Sequence, residues 1–215
     1  TQRDLTLVYQ IAMAPLVLVV HPSVPAKTGP ELLKYVAANK GKVAYGSYGV
    51  GAYPHLAGAH MSLTQQADMN HVAYKGEAPM VQDLIGGQIQ MAYASALAAK
   101  PHIDAGKLKA VGVTGERRMS TLPNVPTLAE QGIKDEAYRV TGWLAIAAPA
   151  KTPKAIVDRI ADEVRKATQQ PDVRERVAAM GFEIKDSSPE LFAAAWKQER
   201  PVWERLIKQS GAKLE

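Results

Sequence analysis

The stretch Lys42-Val43-Ala44-Tyr45-Gly46-Ser47-Tyr48-Gly49-Val50-Gly51-Ala52-Tyr53-Pro54-His55-Leu56 decides the fold. Val43 to Tyr45 supply strand propensity. Gly46, Gly49 and Gly51 let the backbone turn sharply and come close to a guest. Pro54 suits the first turn of a helix, where its missing N–H costs nothing. A strand that feeds a glycine turn into a helix N-terminus leaves unpaired N–H groups around one spot. Such a spot favours an anion by about 0.3–1 kcal/mol when exposed and up to ~2 kcal/mol when partly buried. Ser47 adds a hydroxyl that can donate to a carboxylate. The same pattern also describes a tight strand–helix connection with no guest, so the stretch alone leaves both readings open.

The surrounding chain repeats the strand–helix alternation. Upstream, Leu5–Tyr9 and Ile11–Ala14 read as two short extended pieces, and Leu16–Val20 as a buried strand that His21-Pro22 ends. Thr28 and Glu31 form a capping box over a helix with Leu32, Leu33, Val36 and Ala37 on its apolar face. Downstream, His71–Tyr74, Ile89–Tyr93 and Leu108–Thr114 read as strands. Helices opened by Pro79 and spanning Ala96–Ala105 separate them. Thr127 and Glu130 form a second capping box over a short helix that Gly132 ends, and Val140–Ala147 is a long apolar strand. This order predicts an α/β fold with a parallel or mixed sheet covered by helices. Ligands of such sheets sit beyond the carboxyl ends of the strands, where Ser47, Lys75, Ser95 and Thr114 fall.

From Pro149 onward the pattern turns helical. Thr152-Pro153 caps a helix with Ile156, Val157, Ile160 and Val164 inward. A second helix runs Pro171–Met180, and Phe182–Ile184 forms a short strand. Ser188-Pro189 opens a third helix that Pro201 should kink or split. These helices need another surface to cover, so they belong to a second, incomplete layer.

The chain has 215 residues, of which 47% are hydrophobic and 22% charged, an ordinary globular balance with room for a sizeable core. It has no cysteine, which excludes disulfides, thiolate catalysis and cysteine metal sites. The net charge of +5 is spread along the chain and interleaved with acids. No nucleic-acid stripe results, and the mild positive field helps gather small anions. The apolar run Ile11–Val20, interrupted by Pro15, is too short to span a bilayer. No secretion signal opens the sequence, and Thr1 is not an initiator methionine. The numbered chain is therefore expected to begin inside a longer gene product.

The turn is neither a nucleophile elbow nor a phosphate-binding loop, since Tyr45 stands where the elbow's first glycine belongs and the glycines have the wrong order for GxGxxG. His21, His55, His60, His71 and His102 form no recognisable metal set. His55, near the helix N-terminus, can bond a guest or a backbone carbonyl, whereas His71 reads as structural. Lys75 is either a point charge for a carboxylate or an exposed turn lysine. Trp143, Trp196 and Trp203 read as core. No catalytic residue, metal site or cofactor is expected.

Several pieces together resemble one family. They are Tyr45-Gly46-Ser47-x-Gly49-x-Gly51 with His55-Leu56-Ala57, then Tyr74-Lys75-Gly76 with Pro79, Asp83-Leu84 and Gly86-Gly87. Further on come Gly106-Lys107-Leu108, Leu122-Pro123-x-Val125-Pro126-Thr127, Gly142-Trp143 and Ala148-Pro149. The chain thus resembles the TctC/Bug family of extracytoplasmic solute receptors, the binding proteins of tripartite tricarboxylate transporters. The resemblance implies a type II periplasmic-binding-protein fold of two α/β lobes. Residues 17–143 would form one complete lobe. Residues 1–16 and 144–215 would supply the entry segment and C-terminal helices of the other, whose N-terminal part is absent. It also implies a periplasmic location, a small organic acid as ligand (a di- or tricarboxylate, an aromatic acid or an amino acid) and membrane permease subunits as partners. Carried over by position, the ligand's carboxylate would meet Ser47, Tyr48, Gly49, Gly51 and Ala52, with His55 nearby. Tyr74, Lys75, Gly76, Ala94 and Ser95 would line the other side. Helix faces left uncovered by the absent strands are expected to drive self-association. A cytoplasmic regulator's ligand-sensing domain would share the two-lobed design but needs a DNA-reading helix upstream. An α/β enzyme would need a nucleophile–base pair, which these residues do not supply.

Overall fold

Pro15 divides the apolar N-terminal run between two sheets. The structure, a computed structural model, describes residues 4–212; the outermost ends of the two terminal segments at 1–3 and 213–215 lie outside the described residues. Before Pro15, β1 (Leu5–Ala14) is the middle strand of a three-stranded antiparallel sheet, between β7 (Gly142–Pro149) and the short β8 (Glu183–Ile184). The two extended pieces expected here are therefore one strand. Register shifts between Leu7 and Tyr9 and between Gln10 and Ala12 break its alternation, as β-bulges do. After Pro15, β2 (Val17–Val20) enters a five-stranded sheet of order β4-β3-β5-β2-β6.

In that sheet β3 (Ala44–Ser47) is parallel to β4 (Asn70–Ala73) and to β5 (Met91–Ala94). β2 is antiparallel both to β5 and to β6 (Lys109–Val113). The sheet is thus mixed, and the carboxyl ends of β3, β4, β5 and β6 share one edge. Both faces are buried, so β2 is wholly apolar. Leu18 and Val20 join Tyr45, Met91 and Tyr93 on the face covered by α1 (Gly29–Ala38) and α2 (Tyr53–Thr64). Val17 and Val19 join Ala92 and Ala94 on the face covered by α3 (Glu77–Ile85) and α4 (Ala96–Asp104).

The Thr28 cap forms, with Glu31 N–H donating to Thr28 Oγ1 at 3.3 Å, but the Glu31 carboxylate takes the Lys27 N–H rather than that of Thr28. The Thr127–Glu130 box closes in both directions, at 3.0 and 2.7 Å. It stabilises a run of turns, however, and not the expected helix. Among the described residues, the helix between β6 and β7 is the single turn α5 (Glu136–Arg139). Thr152 does not cap α6 (Lys154–Thr168), whose N-cap is Pro153, with no side-chain bond.

After α7 (Pro171–Ala179) comes α8 (Pro189–Ser210), which runs unbroken through Pro201. Pro201 removes one backbone bond and crowds the carbonyl four residues back, and buried Phe192 and Leu206 hold the helix on either side. Its first part lies beside β1, where the Trp143 ring meets Phe192 edge-on at 5.1 Å. Its last part crosses to the larger sheet's helices. There Leu206 packs with Leu56 and Ala137, and Trp203 meets Tyr53 edge-on at 5.6 Å. α8 therefore ties together the two layers between which Pro15 divides the chain.

The closest approach within the larger layer is at Gly58, where an added Cβ would lie 2.2 Å from the Tyr45 ring. Gly58→Ala must push α2 off β3. Overpacking of this kind typically costs about 1–3 kcal/mol. Thermal unfolding followed by circular dichroism is expected to show a Tm lower by several degrees, and an unchanged Tm would contradict this packing.

Candidate functional site

The shared edge of strand ends is where the sequence places a guest, and the turn from β3 into α2 is its centre. Gly51 has φ +79°, a left-handed conformation that a side chain would strain. Helix α2 has Ala52 as its N-cap, with no side-chain cap, and Pro54 in its first turn. Three turn amides have internal acceptors. Gly49 N–H donates to Ser47 Oγ at 3.4 Å, Gly51 N–H to His55 Nδ1 at 3.1 Å and Ala52 N–H to the Gly49 carbonyl at 3.3 Å. The N–H groups of Tyr48 and Val50 have no hydrogen-bond partner among the described residues.

Ser47 is fully buried, and its hydroxyl donates to the Gly49 carbonyl at 3.0 Å. Its oxygen lies 2.7 Å from His71 Nε2. With its proton committed to the turn, Ser47 braces the backbone from behind. The direct donation to a guest expected from sequence is not available in this arrangement. Ser95 is likewise committed. Its N–H and hydroxyl donate to the two oxygens of Glu77 at 2.5 and 2.8 Å, and its Oγ caps α4 by accepting from Ala98 N–H at 3.2 Å. An anion at the N-terminus of α4 is therefore already built into the chain. Glu77 also lies close enough to Tyr48 to add to burial in pushing that phenol up to about 12.

Around them, Tyr74 N–H donates to the Ser47 carbonyl at 2.8 Å, and its hydroxyl to Asp83 Oδ2 at 2.9 Å. Lys75 is an exposed turn residue, and Gly76, at φ +111°, is the N-cap of α3. Ala94 is fully buried at the end of β5. The edge thus brings together the turns at 47–52, 74–76 and 94–95. It contributes backbone and small residues more than free side-chain donors. Among the described residues, no group of three or more His, Cys, Asp or Glu is placed to hold a metal ion.

Sequence reasoning missed two residues. Glu77 lies 18 positions before Ser95, with no local pattern linking them. His71, read as structural, stacks on His55 with ring centroids 4.0 Å apart and planes 14° from parallel. That pairing is created by the parallel register that sets Tyr45 opposite His71.

The fold is that of a periplasmic binding protein. BugD, a periplasmic binding protein, superposes with a TM-score of 0.84 at 30% identity, over 98% of this chain and 71% of its own. MatC from Rhodopseudomonas palustris, solved with bound malate, gives 0.83 at 26% identity, over 94% of this chain and 69% of its own. A second R. palustris protein, solved with adipate, gives 0.82 at 27% identity, over 97% and 69%. Residues 1–212 match the tripartite tricarboxylate transporter family receptor, TctC, and the chain belongs to that family. Among curated relatives, a UPF0065 protein from the tcbD–tcbE intergenic region of a Pseudomonas species is 35% identical over 96% of this chain. BugT of Bordetella pertussis is 30% identical over 99%. The chain spans 61% and 64% of the lengths of these two relatives. The family and its solved members are solute-binding receptors rather than enzymes. No helix among the described residues is long and apolar enough to cross a membrane.

The stacked imidazoles also set a pH dependence of stability. Burial, and then the neighbouring His55, pull His71 down to about 4, and burial lowers His55 as well. Both rings bind protons more weakly in the folded chain than in the unfolded one, so unfolding takes up protons between about pH 6.5 and 4. Their contribution is complete above about pH 6.5 and is lost as pH falls toward 4. Discounted for solvent around the partly exposed His71 ring, it amounts to about 1 kcal/mol. Urea unfolding is expected to weaken over this window in the native chain and to flatten in His71→Asn. Parallel curves for the two would contradict it.

Proposed function

We propose that this chain captures a small organic acid as part of a periplasmic receptor and passes it to the permease subunits of a tripartite tricarboxylate transporter. The observation that carries the reading is the pair of unpartnered amides, Tyr48 and Val50, in a glycine turn at a helix N-terminus on the shared strand edge. In this reading the free N–H groups of Tyr48 and Val50 receive one carboxylate of the ligand, while Gly49, Gly51 and Ala52, whose N–H groups are bonded within the turn, shape the cradle rather than donating as their positions in the sequence suggested. The turns at Tyr74–Gly76 and Ala94–Ser95 line the opposite side. Ser47 and His55 act from behind, by holding the turn. Solved relatives with malate and adipate support a carboxylate as the ligand class.

The two-lobed division belongs to the same proposal, with residues 17–143 as one lobe and the flanking segments contributing to the other. An 870 Å³ groove lined by Leu5, Leu7, Trp143 and Trp196 lies on the flanking side, with Leu144 and Leu191 among the exposed apolar side chains. Such a face suits further chain of the same receptor or, without it, self-association.

Calorimetry against malate, adipate, benzoate and aspartate is expected to give saturable binding for at least one acid, and silence across the panel would contradict the proposal. Gly49 supplies the site-specific test. A Cβ there meets nothing within 4 Å, and no left-handed φ forbids a side chain. Gly49→Val should therefore keep the Tm within about 2 °C, since surface changes rarely exceed ~0.5 kcal/mol. It should weaken binding at least tenfold by filling the space over the turn. Undiminished affinity would move the ligand elsewhere.

A further inference from the structure

Behind the turn, the stacked imidazoles touch it at both ends. His55, in the first turn of α2, accepts the Gly51 N–H on Nδ1 at 3.1 Å, so the proton of the neutral ring is on Nε2. His71, on β4, meets Ser47 Oγ at 2.7 Å, and Ser47 in turn donates to the Gly49 carbonyl at 3.0 Å. One side of the pair opens on a cavity of 670 Å³, so solvent protons reach both rings. The titratable groups facing them there are Tyr45 on β3, Lys40 before β3 and Asp68 before β4, and α8 contributes only the uncharged Gln209 and Ser210. Tyr45, whose ring lies 5.0 Å from His71, is pushed above its usual range by burial and stays neutral. Lys40 and Asp68 carry opposite charges, so neither sign dominates.

We propose that the His55–His71 stack is a positioning element of the ligand-binding turn, holding it in its binding shape while both rings are neutral and releasing it when the pair takes up a proton. The link to ligand rests on the receptor reading above; the link to turn geometry does not. A proton added to His55 must go on Nδ1, where it sets one N–H against the Gly51 N–H and removes that bond. A proton on His55 also places a charge beside the His71 ring, whose centroid lies 4.0 Å away, so that one proton breaks the tether and a second, on His71, is opposed. Gly51, at φ +79°, then loses its side-chain tether. A plain cation beside an anion site would tighten binding in acid. A protonated brace weakens it, so the sign of the pH dependence separates the two.

Two measurements test this. The first needs no ligand. In ¹⁵N NMR of the protein, His55 is expected as the Nε2–H tautomer at pH 7.5, and the protection factor of the Gly51 amide should fall about tenfold as the imidazoles titrate toward pH 4.5. An unchanged protection factor would overturn the brace. The second is malate affinity at pH 7.5 and pH 5, compared between the native chain and His55→Gln, which keeps an acceptor for Gly51 but does not titrate in this range. The malate carboxylates ionise alike in both titrations, so the difference reports the protein. The native chain should lose about tenfold more affinity than the variant, while His55→Leu should already bind about tenfold more weakly at pH 7.5. Equal slopes, or tighter native binding at pH 5, would overturn the proposal. A protein that bound no acid would remove the receptor reading, while Gly51 protection alone would still decide the brace.

Discussion

Backbone donors need acceptors, from the chain, from water or from a ligand, and the turn between β3 and α2 has more donors than it pairs within itself. Ser47 Oγ, His55 Nδ1 and the Gly49 carbonyl take three of them, and Tyr48 and Val50 keep theirs. A helix start makes the shortage directional, since the positive end of α2 points at the same place. The rest of the structure serves to hold that shortage in position. The parallel pairing of β3 with β4 and β5 sends their ends to one edge, and the Tyr45–Gly58 contact presses α2 onto β3.

What is not offered to a guest is as informative as what is. Glu77 fills the N-terminus of α4, so the second helix start on the edge carries its own anion. The α2 turn, by contrast, carries no internal acid, and in the proposed reading it is there that an external carboxylate meets the Tyr48 and Val50 amides.

Much of this was legible in the sequence because it depends on local chemistry. Glycine spacing, Pro54 and short apolar runs located the turn, the helix and the strands of the larger sheet within a few residues. The direction of β2 was not legible, because antiparallel and parallel neighbours read alike in a strand buried on both faces. β1 was read as two pieces because its bulges interrupt the alternation on which such readings depend. Pro201 does not split α8 because packing at Phe192 and Leu206, on either side of it, holds the helix together. Within the site, Ser47 was found, but its partner was not. Its hydroxyl meets Gly49 within the turn, and His71 through a register between strands that no short motif encodes. The Ser95–Glu77 pair escaped for the same reason.

The most direct test of the free amides is an amide-resolved NMR titration with malate or adipate. The Tyr48 and Val50 resonances should shift most and saturate together, with Gly49 and Gly51 following. Saturable binding that leaves those two amides unmoved, while resonances elsewhere respond, would contradict the account.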